Sequence, residues 1–233
     1  MNSRHSRLVD EVVRSLSRAI LSGELRPDDH LTVIPLAQEF GISQSTTREA
    51  LLMLEQRGLV RTDPRRGAHV TRLTEQEAVD LCRMRALLEA YTITLGGAQI
   101  TEATCAALNQ QVATMRECVL PIDLPQLIQC DLAFHQIIAE LGESETLLEV
   151  WSRLNGRIGA LILRSVEEKN LLIQDLVRYH SQVVEALATR NVEIGRRTII
   201  QHYIRGQQDE APQTDALNAA AQTVAALGGR YAG

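Results

Sequence analysis

Residues 36–60 read LAQEFGISQSTTREALLMLEQRGLV, and this stretch decides the fold of the N-terminal part of the chain. Its first residues begin an apolar helical face, and Gly41 makes a tight break. Ser43 is suited to cap a second helix, because its hydroxyl can accept a hydrogen bond from a free backbone N–H. Apolar residues then recur at helical spacing, at Ala50, Leu51, Leu54 and Leu59. Two short helices around a glycine-containing turn predict a helix-turn-helix, whose second helix enters the major groove of DNA.

The segment that follows predicts a wing. Residues 58–62 read as a helix stop and a short strand, residues 63–67 (DPRRG) as a turn with two cations at its tip, and residues 68–71 as the partner strand. The alternative is a helical hairpin followed by a solvated loop, because general helix-turn-helix patterns give many false matches. The order of helix, glycine turn, helix and basic hairpin favours the winged module.

The rest of the chain is predicted to be helical. A first helix over 4–22 places Leu8, Val12, Leu16 and Ile20 on one face, and TEQE at 74–77 is a capping box that begins the second domain. Further helices are expected at 75–98, 102–117, 125–141, 144–168, 172–189 and 192–206, with a last one over 214–227. The predicted fold is mostly α, with a winged helix-turn-helix in residues 1–72 and an all-α bundle of six or seven helices in residues 73–233.

Composition and charge agree with that division. A length of 233 residues suits two domains, and 45% hydrophobic with only 3% aromatic residues suits helices packed on aliphatic side chains. The net charge of −5 divides into +2 for residues 1–72 and −7 for residues 73–233, so phosphate affinity would come from a few placed arginines and helix N-termini. Four cysteines without a C-x-x-C pair, no apolar stretch long enough for a bilayer and no signal-peptide core predict a cytoplasmic protein with reduced thiols.

Three histidines and one aspartate form a candidate metal site in the second half. Asp131 precedes His135 by four residues, so both lie on one face of a helix, while His180 and His202 lie on two later helices. Imidazoles and a carboxylate converging from three helices suit zinc, nickel, manganese, cobalt or iron. On spacing alone, each histidine could instead be a surface or hydrogen-bonded core residue, and Asp131 with His135 a solvated helix pair.

The N-terminal part resembles the GntR family of bacterial transcription regulators. The resemblance is carried by residues 20–27 (ILSGELRP), Leu31, Leu36, Ala37, residues 40–43 (FGIS), residues 48–51 (REAL), residues 58–60 (GLV) and Gly67. It implies a winged-helix DNA reader joined to a C-terminal domain for effector binding and dimerisation. Such a protein would be a nucleoid-associated repressor in bacteria, and would bind a palindromic operator as a homodimer.

The C-terminal part resembles the FadR subfamily, whose C-terminal domain is called FCD, and the six compact helices favour its VanR-like branch. The resemblance is carried by residues 85–89 (RALLE), residues 131–135 (DLAFH), residues 179–180 (YH), residues 184–187 (VEAL) and His202. Many members hold a divalent metal with one aspartate and three histidines, and those positions fall on Asp131, His135, His180 and His202. Zinc is the first expectation, with nickel or manganese as alternatives.

The same resemblance implies a small carboxylate effector anchored by the metal. Arg85 matches the family's arginine and would recognise the carboxylate with two hydrogen bonds. The alternative for Arg85 is an intrahelical pair with Glu89, four residues later. Asn155, on the predicted helix over 144–168, is a second candidate for the effector pocket.

The DNA-reading residues are predicted at the start of the second helix and at the wing. They are Ser43, Gln44, Ser45, Thr46, Arg48, Arg65, Arg66 and Gly67. Arginine suits guanine, glutamine suits adenine, and wing arginines suit phosphates or the minor groove. Many relatives carry arginine where Gln44 stands and an apolar residue where Thr47 stands, so we expect an operator that differs from the usual one.

Three functions follow from these features. The leading one is a ligand-responsive transcription regulator that is not an enzyme. A metalloenzyme acting on a small acid is the runner-up, but the sequence shows no obvious general base, and the DNA reader would have no purpose. A regulator with a purely structural metal is the third. The acid, the physiological metal, the operator and the choice between repression and activation stay open at this point.

Overall fold

The computed structural model describes residues 2–56, 59–63, 67–97, 100–119, 124–169, 172–205 and 210–228. Within them the chain forms eleven helices and three strands. In chain order these are α1 (Asn2–Leu21), β1 (His30–Leu31), α2 (Val33–Glu39), α3 (Gln44–Gln56), β2 (Val60–Asp63), β3 (Gly67–Val70), α4 (Glu75–Gly96), α5 (Glu102–Glu117), α6 (Leu124–Glu140), α7 (Glu145–Ser152), α8 (Asn155–Lys169), α9 (Ile173–Ala188), α10 (Val192–Ile204) and α11 (Glu210–Gly228). The mostly helical fold with an N-terminal winged helix-turn-helix is therefore confirmed.

The chain divides into two compact units. The first contains Met1–Thr74 together with Arg153–Lys169, and the second contains Glu75–Ser152 and Asn170–Gly233. The sequence had placed one boundary between residues 72 and 73 and assigned everything after it to the second domain.

The first unit contains the winged helix-turn-helix. Helices α1, α2 and α3 enclose an aliphatic core whose most buried members include Val13, Ile20 and Leu54. The three strands form an antiparallel sheet in the order β1-β3-β2, with Val60 opposite Val70. Strand β1 was not predicted, because it is only two residues long and is held by backbone bonds rather than by a side-chain pattern. The amide of Val70 donates to the Asp29 carbonyl at 2.9 Å beside it.

The second unit consists of α4–α7 and α9–α11 in the described residues. Helix α4 packs on α6, α10 and α11, and α5 packs on α6 and α9. The contact at the end of α4 is close: a Cβ atom added at Gly96 would lie 1.8 Å from the Leu141 carbonyl oxygen. Only glycine fits there, which fixes the position of α4 against the end of α6.

The single helix predicted over 144–168 is wrong. The chain instead turns at residues 153–154 between α7 and α8, and the amide of Arg157 donates to the Leu154 carbonyl at 3.1 Å. Helices α7 and α8 each bury an apolar face, so the apolar periodicity of the sequence continues across the break. The two faces are nevertheless buried in different units. Helix α8 belongs to the first unit, where Arg164 donates to the Leu73 carbonyl at 3.2 Å.

Eight helices follow residue 74 in the described residues, not six or seven. The six-helix count that favoured the VanR-like branch is therefore not observed. Among the same residues, no helix is both long and apolar enough to cross a membrane.

Candidate functional site

The N-terminus of α3 carries most of the predicted DNA contacts. Gly41 has a φ of +62° in the turn before α3, a conformation that favours glycine. The amide of Thr46 donates to the Ser43 hydroxyl oxygen at 3.2 Å, so Ser43 caps the helix as predicted. Ser43, Gln44 and Ser45 are exposed at this end of the helix.

Thr46 does not have the exposure predicted for it. Its side chain is only 4% exposed, and its hydroxyl lies 2.7 Å from the Ser43 hydroxyl. Thr46 lies four residues before the buried Ala50, so both lie on the face of α3 that is turned to the core. Thr46 therefore stabilises the cap, and its side chain is not available to a base edge.

The remaining predicted DNA contacts lie on α3 and on the wing. Arg48 is exposed, and its guanidinium donates to the Gln44 side-chain oxygen at a long 3.4 Å. Gly67 is exposed at the start of β3 with a φ of +74° and pairs with Asp63. Arg65 and Arg66, predicted at the wing tip, lie outside the described residues.

The three histidines of the predicted metal site converge in the second unit. His135 on α6, His180 on α9 and His202 on α10 each offer a ligand atom, and these atoms all lie within 4.8 Å of one another. Asp131, one turn before His135, brings its Oδ1 atom to 3.1 Å from Nε2 of His180 and 3.9 Å from Nε2 of His135. The structure thus brings all four predicted ligands together.

Hydrogen bonds outside this cluster fix which ring nitrogens face it. Nδ1 of His180 lies 2.8 Å from the Leu176 carbonyl, and Nδ1 of His135 lies 2.7 Å from the Glu89 carboxylate. Both partners are acceptors, so each Nδ1 donates away from the cluster, and Nε2 is the ring nitrogen that lies toward Asp131. One carboxylate oxygen and two Nε2 atoms therefore lie close together, and a divalent cation that displaced the Nε2 protons would find its usual ligands there.

His202 adds a further candidate ligand atom, its buried Nδ1. Its Nδ1 atom is buried and has no hydrogen-bond partner among the described residues. Burial, together with the neighbouring His180 and His135, holds the pKa of His202 well below its usual value, so this ring is neutral. A neutral imidazole is the form that binds a metal.

Asp131 keeps its charge at the site. Burial raises the pKa of Asp131, but the hydrogen bond with His180 and the nearby His135 lower it further, and the net direction is down. The cluster therefore offers one carboxylate, the neutral ring of His202 and the Nε2 atoms of His135 and His180. These residues fit a divalent metal of the zinc, nickel or manganese kind.

The sequence analysis did not predict the hydrogen-bond network on the Nδ1 side of the His135 ring. Glu89 accepts from the Trp151 indole at 2.9 Å and from the Tyr203 hydroxyl at 2.6 Å, in addition to its contact with His135. Two signals could have pointed to them: Trp151 is the chain's one tryptophan, and Tyr203 follows directly after His202.

Arg85 and Asn155 were predicted to bind the effector. Arg85 is fully buried, and its Nη2 lies 3.2 Å from Glu89, so the intrahelical pair considered as its alternative role is present. Its guanidinium also stacks 4.3 Å from the centre of the Trp151 ring. Asn155 is the first residue of α8 and belongs to the first unit, whereas the four metal-ligand candidates belong to the second.

Comparison with known proteins agrees with this architecture. The model of the bacterial regulatory proteins of the gntR family matches residues 8–70, and the FCD domain model matches residues 80–205. The HTH-type transcriptional repressor RspR of Escherichia coli is 22% identical, with 82% of this chain and 84% of the relative covered. The gluconate operon transcriptional repressor of Bacillus licheniformis is 26% identical, with 82% and 80% covered.

A solved structure shares the fold over almost its whole length. A transcriptional regulator of the GntR type from Rhodococcus sp. RHA1 superimposes with a TM-score of 0.71 at 21% identity, covering 92% of this chain and 99% of that one. The two family matches lie one after the other and together include the reading helix and all four candidate metal ligands. This chain belongs to the GntR family of DNA-binding transcription regulators, in the group that carries a C-terminal FCD domain.

Proposed function

We propose that the protein is a repressor that binds a palindromic operator as a homodimer and senses a small carboxylate at a divalent metal ion. Asp131, His135, His180 and His202 would hold the ion, and their convergence is the observation that carries the proposal. Two relatives named as repressors support the direction of regulation. One of them is named for an operon of gluconate, itself a small hydroxy acid, which supports the class of effector.

The charges around the cluster favour an anionic effector. Arg85 and Glu89 form a buried pair of opposite charge, and Asp131 adds a further negative charge. A divalent ion would therefore leave the centre with a net positive charge, which a single carboxylate neutralises. The ion would supply that charge and open coordination positions for the carboxylate oxygens. Zinc is our first expectation, and nickel and manganese suit the same donors.

The reading head would recognise one half-site of the operator. Gln44, Ser45 and Arg48 are exposed at the N-terminal end of α3, and the helix N-terminus itself favours a phosphate. We propose that Arg48 contacts guanine and Gln44 contacts adenine, while Gly67, Arg65 and Arg66 bring the wing to the backbone or the minor groove. Two copies of the chain would present two such heads to the two halves of the operator.

Replacing Arg48 with alanine is expected to weaken operator binding by about 1–3 kcal/mol, or roughly 5- to 150-fold, and to relax base preference at one position of each half-site. The reason is the loss of a bidentate base contact. The measurement is a titration of labelled operator and of variants substituted at each position.

Arg18→Ala is the matched control for Arg48→Ala, because Arg18 is an exposed arginine of the same unit in the last turn of α1. It removes the same charge without removing the proposed base contact. Equal weakening by both variants, with unchanged base preference, would mean that Arg48 contributes only charge.

The effector response can be tested with metal-loaded protein and a set of small acids. Acetate, lactate, gluconate and citrate would be titrated into the protein–operator complex, with metal-free protein in parallel. We expect one acid to weaken operator binding by roughly 5- to 150-fold, the usual range of allosteric coupling, and to do so only when metal is present. If neither metal nor acid changes operator affinity, the allosteric part of the proposal is wrong. Unfolding on chelation without any protection by acids would instead favour a structural metal.

A further inference from the structure

Glu89 is the most heavily hydrogen-bonded carboxylate beside the metal-ligand cluster. It is fully buried on α4. One oxygen, Oε2, lies 2.7 Å from Nδ1 of His135. The other, Oε1, accepts from the Trp151 indole at 2.9 Å and from the Tyr203 hydroxyl at 2.6 Å, and lies 3.2 Å from Nη2 of Arg85. The two oxygens therefore have different partners: two hydrogen-bond donors and the Arg85 guanidinium surround Oε1, and His135 lies against Oε2.

Two hydrogen bonds and one ion pair on Oε1 fix the orientation of the carboxylate. Arg85 comes from the preceding turn of α4, Trp151 from α7 and Tyr203 from α10, so three helices determine where Oε1 lies. The Tyr203 oxygen accepts from Nε of Arg85 at 3.0 Å and also lies 2.9 Å from Nδ1 of His135, so with Nδ1 protonated its own proton goes to Oε1 of Glu89. With Oε1 fixed, Oε2 is left facing the ring of His135.

The charge of Glu89 is retained in this setting. Its carboxyl group accepts from the Trp151 indole and the Tyr203 hydroxyl and lies beside the Arg85 guanidinium, which are the surroundings of an ionised carboxylate. An ionised carboxylate is an acceptor only, so it can meet Nδ1 of His135 only when that nitrogen carries the proton.

We propose that Glu89 is a positioning residue for the metal site, which holds His135 in the tautomer protonated at Nδ1 and so leaves Nε2 free to bind the ion. This inference rests on the proposed metal site. The Nε2 atom is the ring nitrogen that lies 3.9 Å from Oδ1 of Asp131, on the side of the cluster. Glu89 thus acts through His135, without contact to the ion itself.

The substitution Glu89→Gln tests this directly, because the same three contacts on Oε1 determine the orientation of the amide. Its oxygen has to take the place of Oε1, where Trp151 and Tyr203 donate and Nη2 of Arg85 lies 3.2 Å away. Its NH₂ group then replaces Oε2 and donates to Nδ1 of His135. The ring can satisfy that donor only by moving its own proton to Nε2, the nitrogen that the ion needs. We therefore expect the tautomer to switch and zinc affinity to fall by about 100-fold, at the upper end of the ~10–100-fold range for such partners.

Glu193→Gln is the matched control. Glu193 lies in the same unit on α10, pairs with Arg196 and accepts from Asn218 at 2.9 Å and Gln222 at 3.0 Å. None of these partners is a candidate ligand, so loss of this charge is expected to leave zinc affinity unchanged. Competition with a chromogenic chelator would give zinc affinity for the full-length wild type, Glu89→Gln and Glu193→Gln.

The tautomer itself would be read from long-range ¹⁵N–¹H correlation spectra of the histidine rings in metal-free protein. Wild-type His135 protonated at Nδ1, and Glu89→Gln protonated at Nε2 with weaker zinc binding, is the expected result. Wild-type His135 protonated at Nε2 would overturn the proposal even if Glu89→Gln failed to fold. So would equal zinc affinity in Glu89→Gln and Glu193→Gln. If the wild type bound no zinc at all, the proposed metal site would fail. If Glu89→Gln bound zinc as tightly as the wild type, only the role of Glu89 would fail.

Discussion

Replacing Arg85 with alanine is expected to lower the free energy of unfolding of the metal-free protein by about 3–5 kcal/mol. Arg85 is fully buried, lies 3.2 Å from Glu89 and donates to the Tyr203 hydroxyl at 3.0 Å. Its removal leaves the buried Glu89 charge without its cationic partner and opens a void beside the Trp151 ring, where the guanidinium now stacks. Urea unfolding followed by circular dichroism measures the loss.

Two further variants serve as controls for the Arg85→Ala measurement. Arg83→Ala removes an arginine from the same helix, whose side chain is 39% exposed, contacts Asp80 at 3.7 Å and donates to Gln213 at 3.2 Å. Its loss should cost only about 1–2 kcal/mol. The double variant Arg85→Met with Glu89→Gln removes both buried charges and should be more stable than Arg85→Ala. If Arg85→Ala cost no more than Arg83→Ala, the buried pair would not stabilise the fold. Arg85 would then be better explained as an effector ligand, the role that the family resemblance implies.

The reading head was predictable because its signals are local. A glycine turn, a serine cap and apolar residues at helical spacing lie within a few residues of one another, and α2, α3, β2 and β3 form where these signals stand. Thr46 shows the limit of assigning roles by position in a motif. Its spacing from Ala50 already places it on the buried face, and that periodicity outweighs its place among the polar residues of the helix start.

Helix periodicity in the sequence links only two of the four candidate metal ligands. Helix geometry brings Asp131 and His135 together, because they are separated by one turn. The approach of His180 and His202 depends on how α6, α9 and α10 pack, and only the resemblance to a family placed them in one site. In the structure the four ligand candidates lie close together, with the ring centres of His180 and His202 4.5 Å apart.

The support behind the cluster could not have been predicted in the same way. Glu89 reaches His135, Trp151 and Tyr203 across 46, 62 and 114 residues of chain, and no spacing rule connects residues so far apart. Trp151 reaches Glu89 from the last turn of α7, just before the turn that the sequence missed. The sequence predicted one continuous helix over residues 144–168, so it did not predict that a helix ends beside the Glu89 carboxylate. Packing between helices, rather than periodicity within them, decides this part of the site.

Removing two ligands at once, by Asp131→Ala with His135→Ala, is expected to abolish both metal binding and the response to carboxylates while leaving operator binding intact. The two remaining imidazoles, His180 and His202, make a weak site, because structural and catalytic sites of this kind use at least three protein ligands. An effector shifts operator affinity only if it binds the free and DNA-bound states of the protein with different affinities. Loss of the metal ion that anchors the effector therefore abolishes the effector's influence on operator affinity, but it leaves operator binding by the winged helix-turn-helix unchanged.

Elemental analysis of the purified proteins, followed by operator titration with and without the active acid, measures both losses in the Asp131→Ala/His135→Ala variant. His30→Ala with His69→Ala is the control for metal content, because it removes two imidazoles from the sheet of the other unit. Metal retained in the Asp131/His135 variant at the wild-type level would place the ion elsewhere. Metal lost while the acid still released the operator would separate the two halves of the proposal: the ion would then be structural, and the carboxylate would bind through protein side chains alone. Both losses together, with unchanged operator affinity in the absence of acid, would tie the effector to the ion that Asp131, His135, His180 and His202 hold.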